Sequence, residues 1–133
     1  MLTIAVLSLL LRHSLFAGHP LGVAVQVLAG ALMLAARLAF GARSFHAGAN
    51  PTEGGLVTRG PYRFIRHPIY AAILLFVWAG ALSHASIPSL AAAALASAGI
   101  AVRIAAEERL VVARYPEYAE YAARTKRVIP FIL

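Results

Sequence analysis

The chain has 133 residues, 61% of them hydrophobic and only 13% charged, with a mean hydropathy of +0.77. A soluble domain carries about 25% charged residues, and one this short has little core in which to hide so much apolar surface, so lipid is the expected solvent. The formal charge of +7 comes from twelve Lys and Arg, most of them flanking apolar runs. That is the pattern of membrane orientation and contact with anionic lipid heads, and no nucleic-acid partner is expected. Cysteine is absent, which removes disulfides, a thiol nucleophile and Cys-based zinc sites.

Taken in chain order, Leu2 to Leu11 are apolar and Leu15 to Ala17 extend the run past Arg12 and His13. No Lys or Arg precedes this stretch and Phe16-Ala17-Gly18 is a poor cleavage site, so a retained first span is expected instead of a signal peptide. Arg12 would snorkel to the nearer interface. Pro20 opens a second span, uncharged from Leu21 to Ala36 and continuing past Arg37 to Phe40. Gly22 and Gly30 would let a neighbouring helix approach closely.

From Gly41 to Arg66 the composition turns to Gly, Pro, Asn, Thr, Ser and Arg, with Asn50-Pro51 and Gly54-Gly55 as turn signals. The next 36 residues, between Arg66 and Arg103, carry no charge. A single span needs about 20 residues, so this stretch folds back on itself. Ser83-His84-Ala85-Ser86-Ile87-Pro88 is the natural turn, between a helix from Pro68 to Leu82 and another from about Ser89 to beyond Arg103. The Ala91-Ala92-Ala93-Ala94 tract is close-packing material. Residues from Ala105 to Ala123 mix Glu, Arg and Tyr into a helical pattern and are expected to leave the bilayer as an interfacial helix, broken at Pro116.

The fold expected is therefore all-α: one polytopic membrane domain over 1–133, with about four transmembrane helices plus a C-terminal interfacial helix. Within it 1–42 holds two spans, 43–67 a cytoplasmic loop, 68–104 a helical hairpin and 105–133 a cytoplasmic or interfacial tail. Arg43, Arg59, Arg63 and Arg66 in the loop, and the basic tail from Arg103 onward, place both polar regions and both termini on the cytoplasmic side. A bacterial inner membrane is the expected setting.

The hairpin brings two polar clusters to one face. In the first, Pro68 suits the first helical position, His67 the cap, and Tyr70 stands one turn on. Such a helix start favours an anion, reinforced by Arg63 or Arg66; an interfacial anchor of Arg, Tyr and His explains the same residues. In the second, Arg103 and Glu107 share a helix face while Glu108 points about 100° away. Two of the five acids adjacent at the inner end of a span are unusual, although a solvated pair neutralised by Arg103 and Arg109 is the plainer account. Tyr115, Tyr118 and Tyr121 read as an interfacial belt, with Tyr118 and Tyr121 also able to wall a pocket beside Arg124. His13, His19, His46 and His84 have no metal-ligand spacing.

As a set, Arg66-His67-Pro68-Ile69-Tyr70, the apolar hairpin, Glu107-Glu108-Arg109-Leu110 and the tail Tyr115-Pro116-Glu117-Tyr118, Tyr121 and Arg124-Thr125-Lys126-Arg127-Val128-Ile129-Pro130 resemble the isoprenylcysteine carboxyl methyltransferase family. The related phospholipid N-methyltransferases share the RHPxY and EE elements. The resemblance covers residues about 53 to 133; the first two helices match only as helices. Ala72 stands where family members often carry Gly. The resemblance implies an S-adenosylmethionine site, with Arg66, His67, Tyr70, Glu107 and Glu108 as cofactor contacts. The acceptor implied is lipophilic, a small molecule or a prenylated substrate drawn from among membrane lipids, with Tyr118 and Tyr121 on its side of the pocket.

A carboxylate acceptor is expected, held by Arg103 or Arg124 as the catalytic cations, because methyl transfer to it cancels two charges in a dry pocket. A phospholipid or amine N-methyltransferase is the nearest alternative. Membrane sterol reductases also resemble the first cluster, with an HPNY form and a nicotinamide cofactor, but Ile69 replaces that Asn. A non-catalytic lipid-binding scaffold would keep the spans and basic loops without needing the glutamate pair.

Overall fold

The computed structural model describes residues 1–40 and 59–128. Arg43, the turn signals at Asn50-Pro51 and Gly54-Gly55, and Ile129-Pro130 lie outside the described residues. Among those described there are five α-helices and no strands: α1 Leu2–Leu11, α2 Pro20–Phe40, α3 Pro68–His84, α4 Ile87–Arg114 and α5 Tyr118–Arg124, with a 3-10 turn at Gly60–Arg63 before α3.

Two of these helices, α2 and α4, are long and apolar enough to cross a membrane. The expected four is not reached on length. At about 1.5 Å per residue, α1 and α3 extend about 15 and 25 Å against a hydrocarbon core of about 30 Å. They are apolar helices of 10 and 17 residues.

The first span was expected to run on to Ala17, but α1 stops at Leu11. Arg12 caps it and His13 takes a left-handed φ of 54°, turning the chain back. The following backbone is irregular yet tucked in, with Ser14 and Leu15 buried. Irregular backbone in an apolar bundle needs partners for its polar groups. Gln26 of α2 supplies them: its Nε2 donates to the carbonyls of Leu15 at 2.7 Å and Phe76 at 3.0 Å, and its Oε1 accepts from the amide of Ala17 at 3.0 Å.

The helices pack in the spatial order α2, α3, α4, α1. Small residues set the spacing, with Ala5, Ala81, Ala92, Ala93 and Ala96 buried around Leu9, Leu15 and Val77. Of the two glycines expected at a close approach, Gly22 is at one, where an added Cβ would press on Ser83 and Ala17, whereas Gly30 has nothing within 4 Å. The tightest approach was not anticipated: a Cβ on Gly80 would overlap the carbonyl of Leu15. Ala72 is buried, so its methyl is accommodated at the position where Gly is common.

The α3–α4 hairpin turns close to where the sequence placed it. Ala85 adopts the left-handed conformation that ends α3, and Ser86 caps α4 by accepting from the Ser89 amide. The far end of α4 corrects the expected boundary. The hairpin was to end at 104 and the tail to form its own helix, yet α4 continues without interruption to Arg114 and the separate helix shrinks to α5. Charged side chains do not interrupt helical hydrogen bonding, and propagation goes on until a residue such as Pro116 removes a donor.

Candidate functional site

The geometry begins with Pro68, which fixes the first turn of α3 and leaves His67 at the cap position without a side-chain capping bond. The backbone amides just before the helix, at Arg66 and His67, are engaged. They are used within the fold: Arg66 N donates to Lys126 O at 2.7 Å, His67 N to Arg127 O at 2.9 Å, and Lys126 N returns to Phe64 O at 3.2 Å. The tail thus lies parallel to residues 64–67, with Ile65 and Lys126 forming a bridge.

Antiparallel packing of α3 and α4 sets Tyr70 and His67 against Glu107 and Glu108. Tyr70 donates its hydroxyl to Glu107 Oε1, which also receives Arg103 Nε at 3.2 Å, and Arg103 donates to the Tyr70 oxygen as well. His67 presents Nε2 to Glu108 Oε1 at 3.2 Å, while its Nδ1 stands 4.0 Å from Glu107 Oε2. Assigning the ring proton to Nε2 makes Nδ1 the acceptor in the neutral ring.

Arg66 is engaged within the fold. Its Nε pairs with Glu108 at 2.9 Å, and its Nη1 donates to the carbonyls of Ala122 and Thr125 at 2.9 and 2.7 Å. Those carbonyls end α5, so Arg66 satisfies a helix C-terminus that would otherwise lack donors. Glu108 is further held by Arg127 Nε at 3.1 Å. Neither Arg127 nor Thr125 had been given a role from the sequence; Thr125 is buried and donates to Tyr121 O at 2.6 Å.

Tyr118 and Tyr121 both turn inward, Tyr115 less so. The Tyr118 hydroxyl lies 3.4 Å from Glu108 Oε1, and burial together with that carboxylate's charge pushes its pKa up. Tyr121 donates to Tyr62 O at 2.7 Å, and burial raises its pKa to about 12 against the lowering influence of Arg66 and Arg124. Tyr62, given no role from the sequence, is buried against Ala36 and Ala39 of α2 and so joins α2 to the tail. Arg124 is exposed at the end of α5 and Arg63 is exposed beside the 3-10 turn.

Seven of the nine residues singled out from the sequence therefore gather into two adjacent hydrogen-bonded groups, Arg66, His67, Glu108 and Tyr118 in one and Tyr70, Arg103 and Glu107 in the other, with His67 Nδ1 4.0 Å from Glu107 Oε2 between them; together they make up the network of this site. Beside it an apolar groove of about 1080 Å³ runs between α2 and α3, from Phe64, Ile65 and Val128 near the network to His19 and Ser83 at the opposite end.

Residues 17–118 match the family model described as phospholipid methyltransferase. The chain is also 39% identical over 80 residues to the cobalt-zinc-cadmium resistance protein CzcN of Cupriavidus metallidurans, a match covering 56% of this chain and 35% of that protein. The chain thus spans about a third of the length of that relative. No solved structure gives a significant match.

Proposed function

The chain belongs to the phospholipid methyltransferase family, within the group of membrane methyltransferases that resemble isoprenylcysteine carboxyl methyltransferase, and from that premise we propose that it methylates a lipophilic acceptor using S-adenosylmethionine. The proposed setting is a bacterial inner membrane, with α1 and α3 completing four spans and the Glu107–Glu108 network at the cytoplasmic surface. The observation that carries the reading is the meeting of His67 and Tyr70 with Glu107 at one end of an apolar bundle, beside a groove able to take an apolar tail.

The donor set fits the cofactor. S-adenosylmethionine has an ammonium and ribose hydroxyls that seek acceptors, and Glu107 and His67 Nδ1 provide them. When bound, it supplies a methyl group on a positively charged sulfur. Tyr70 and Arg103 hold Glu107 in place, and the apolar helices around the site exclude water.

A carboxylate acceptor would be oriented by Arg124, exposed at the end of α5, or by Arg103, and requires no base because it is already ionised at neutral pH. A specific observation favours an amine as the second reading: Arg103 Nε is engaged by Tyr70 and Glu107, which lowers its availability to an anion.

Purified protein in lipid should bind labelled S-adenosylmethionine in preference to NADPH; the reverse preference would reject methyl transfer and restore the reductase alternative. With an active acceptor, a rate that is flat from about pH 6 to 9 and falls in Arg103→Ala or Arg124→Ala supports the carboxylate. A rate that climbs through the amine's pKa, with Arg103→Ala and Arg124→Ala both still active, supports the amine.

A further inference from the structure

The two adjacent glutamates differ in how much acceptor capacity they have left. An ionised carboxylate offers about four acceptor positions. On Glu108, Oε1 faces Arg66 Nε at 2.9 Å, His67 Nε2 at 3.2 Å and Tyr118 OH at 3.4 Å, and Oε2 faces Arg127 Nε at 3.1 Å. Three donors crowd Oε1 and one takes Oε2, so at most one acceptor position is left on Glu108. On Glu107, Oε1 serves Tyr70 and Arg103, while Oε2 has His67 Nδ1 at 4.0 Å, too long for a hydrogen bond.

We propose that Glu108 is a positioning residue through which Arg127 and Tyr118 latch the 118–127 segment over the start of α3, and that Glu107 alone of the pair meets the reactants. Arg127 is the tie between three pieces of chain. Its guanidinium holds Glu108 of α4, and its carbonyl accepts from the His67 amide at 2.9 Å. The same Glu108 holds the His67 ring, so backbone and ring of His67 are both fixed by the latch and Nδ1 is set on the Glu107 side. Arg66 closes the circuit by joining Glu108 to the last carbonyls of α5. The identity of the reactants rests on the methyltransferase reading; the latch does not.

Amide hydrogen exchange on the protein in lipid nanodiscs, with no cofactor added, tests the latch directly. The amides of Arg66, His67 and Lys126 should exchange at least about tenfold faster in Arg127→Ala, and Arg127→Lys should restore most of the protection, because one charged donor reaches Glu108 in either case. Tyr118→Phe, which removes one hydroxyl, should shift the same amides less and serves if Arg127→Ala does not fold. Glu107→Gln should leave them protected. Binding of labelled S-adenosylmethionine is measured on the same samples, with affinity falling several-fold in Arg127→Ala, recovering in Arg127→Lys, and falling in Glu107→Gln. Unchanged exchange in Arg127→Ala and Tyr118→Phe, or equal deprotection in Glu107→Gln, overturns the latch. Normal cofactor affinity in Glu107→Gln, with exchange as expected, overturns the role of Glu107 while the latch stands, and absence of S-adenosylmethionine binding by the unaltered protein, with exchange as expected, overturns the cofactor reading alone.

Discussion

The two ends of the bundle meet the same difficulty, polar groups in an apolar protein, by different means. Near the α3–α4 turn, the irregular stretch after α1 is held by shape and one neutral side chain: Gly80 admits the Leu15 carbonyl, and Gln26 matches two carbonyls and one amide without any formal charge. At the other end, two glutamates gather Arg66, Arg103, Arg127, His67 and two tyrosine hydroxyls. Neutral matching suits a joint that has only to stay closed. A charged network with one carboxylate oxygen short of a hydrogen-bond donor among the described residues suits a place where something polar must bind, since retained charge is costly to bury and is tolerated where it does work.

The sharpest way to break this contrast is Gly80→Val. The added side chain meets backbone that cannot swing aside, so a loss at the top of the usual overpacking range, about 3 kcal/mol, is expected in thermal unfolding in detergent. Gly30→Ala, with open space around it, should be neutral or slightly stabilising. Equal effects at the two glycines would show that the close approach at Leu15 does not hold this end together.

A smaller loss, about 1–2 kcal/mol, is expected for Gln26→Leu, which removes the side-chain partner of the Leu15 carbonyl and the Ala17 amide and the second bond on the Phe76 carbonyl. The loss should not vary between low and high salt, because no formal charge is removed. A salt-dependent loss would mean that the neutral joint is coupled to the charged one.

The smallest effect is one of pH, and it should be confined to the tail. Tyr121 has its pKa raised to about 12 in the folded protein, while the unfolded chain titrates near the ordinary tyrosine value of about 10. The folded state therefore holds its proton more tightly, so its advantage is complete below about pH 10 and is lost as pH rises from about 10 to 12. Tyr118 shifts the same way. Protease cleavage after residue 114 should accelerate in that window before the remainder of the bundle unfolds, and Tyr121→Phe should remove part of the pH dependence. Simultaneous loss of both ends would argue that the tail has no separate stability.

The sequence by itself determined the all-α class, the lipid-like composition, the turn between α3 and α4, and the pairing of the RHPIY stretch with the glutamate pair. Those features are written in local terms: an uncharged run too long for one helix, prolines at helix starts, and charges that lie together once the run folds back. Packing decided the rest. The end of α1 depends on Gly80 leaving room for Leu15, and no periodicity in residues 2–17 records a cavity on a helix more than sixty positions away. The difference between Glu107 and Glu108 likewise depends on which carboxylate the tail reaches. Helical geometry separates the two by about 100° but does not say where Arg127 will lie. That was settled by the parallel backbone pairing of residues 64–67 with 126–127, a long-range contact whose hydrogen bonds belong to the main chain and leave no signature in side-chain pattern.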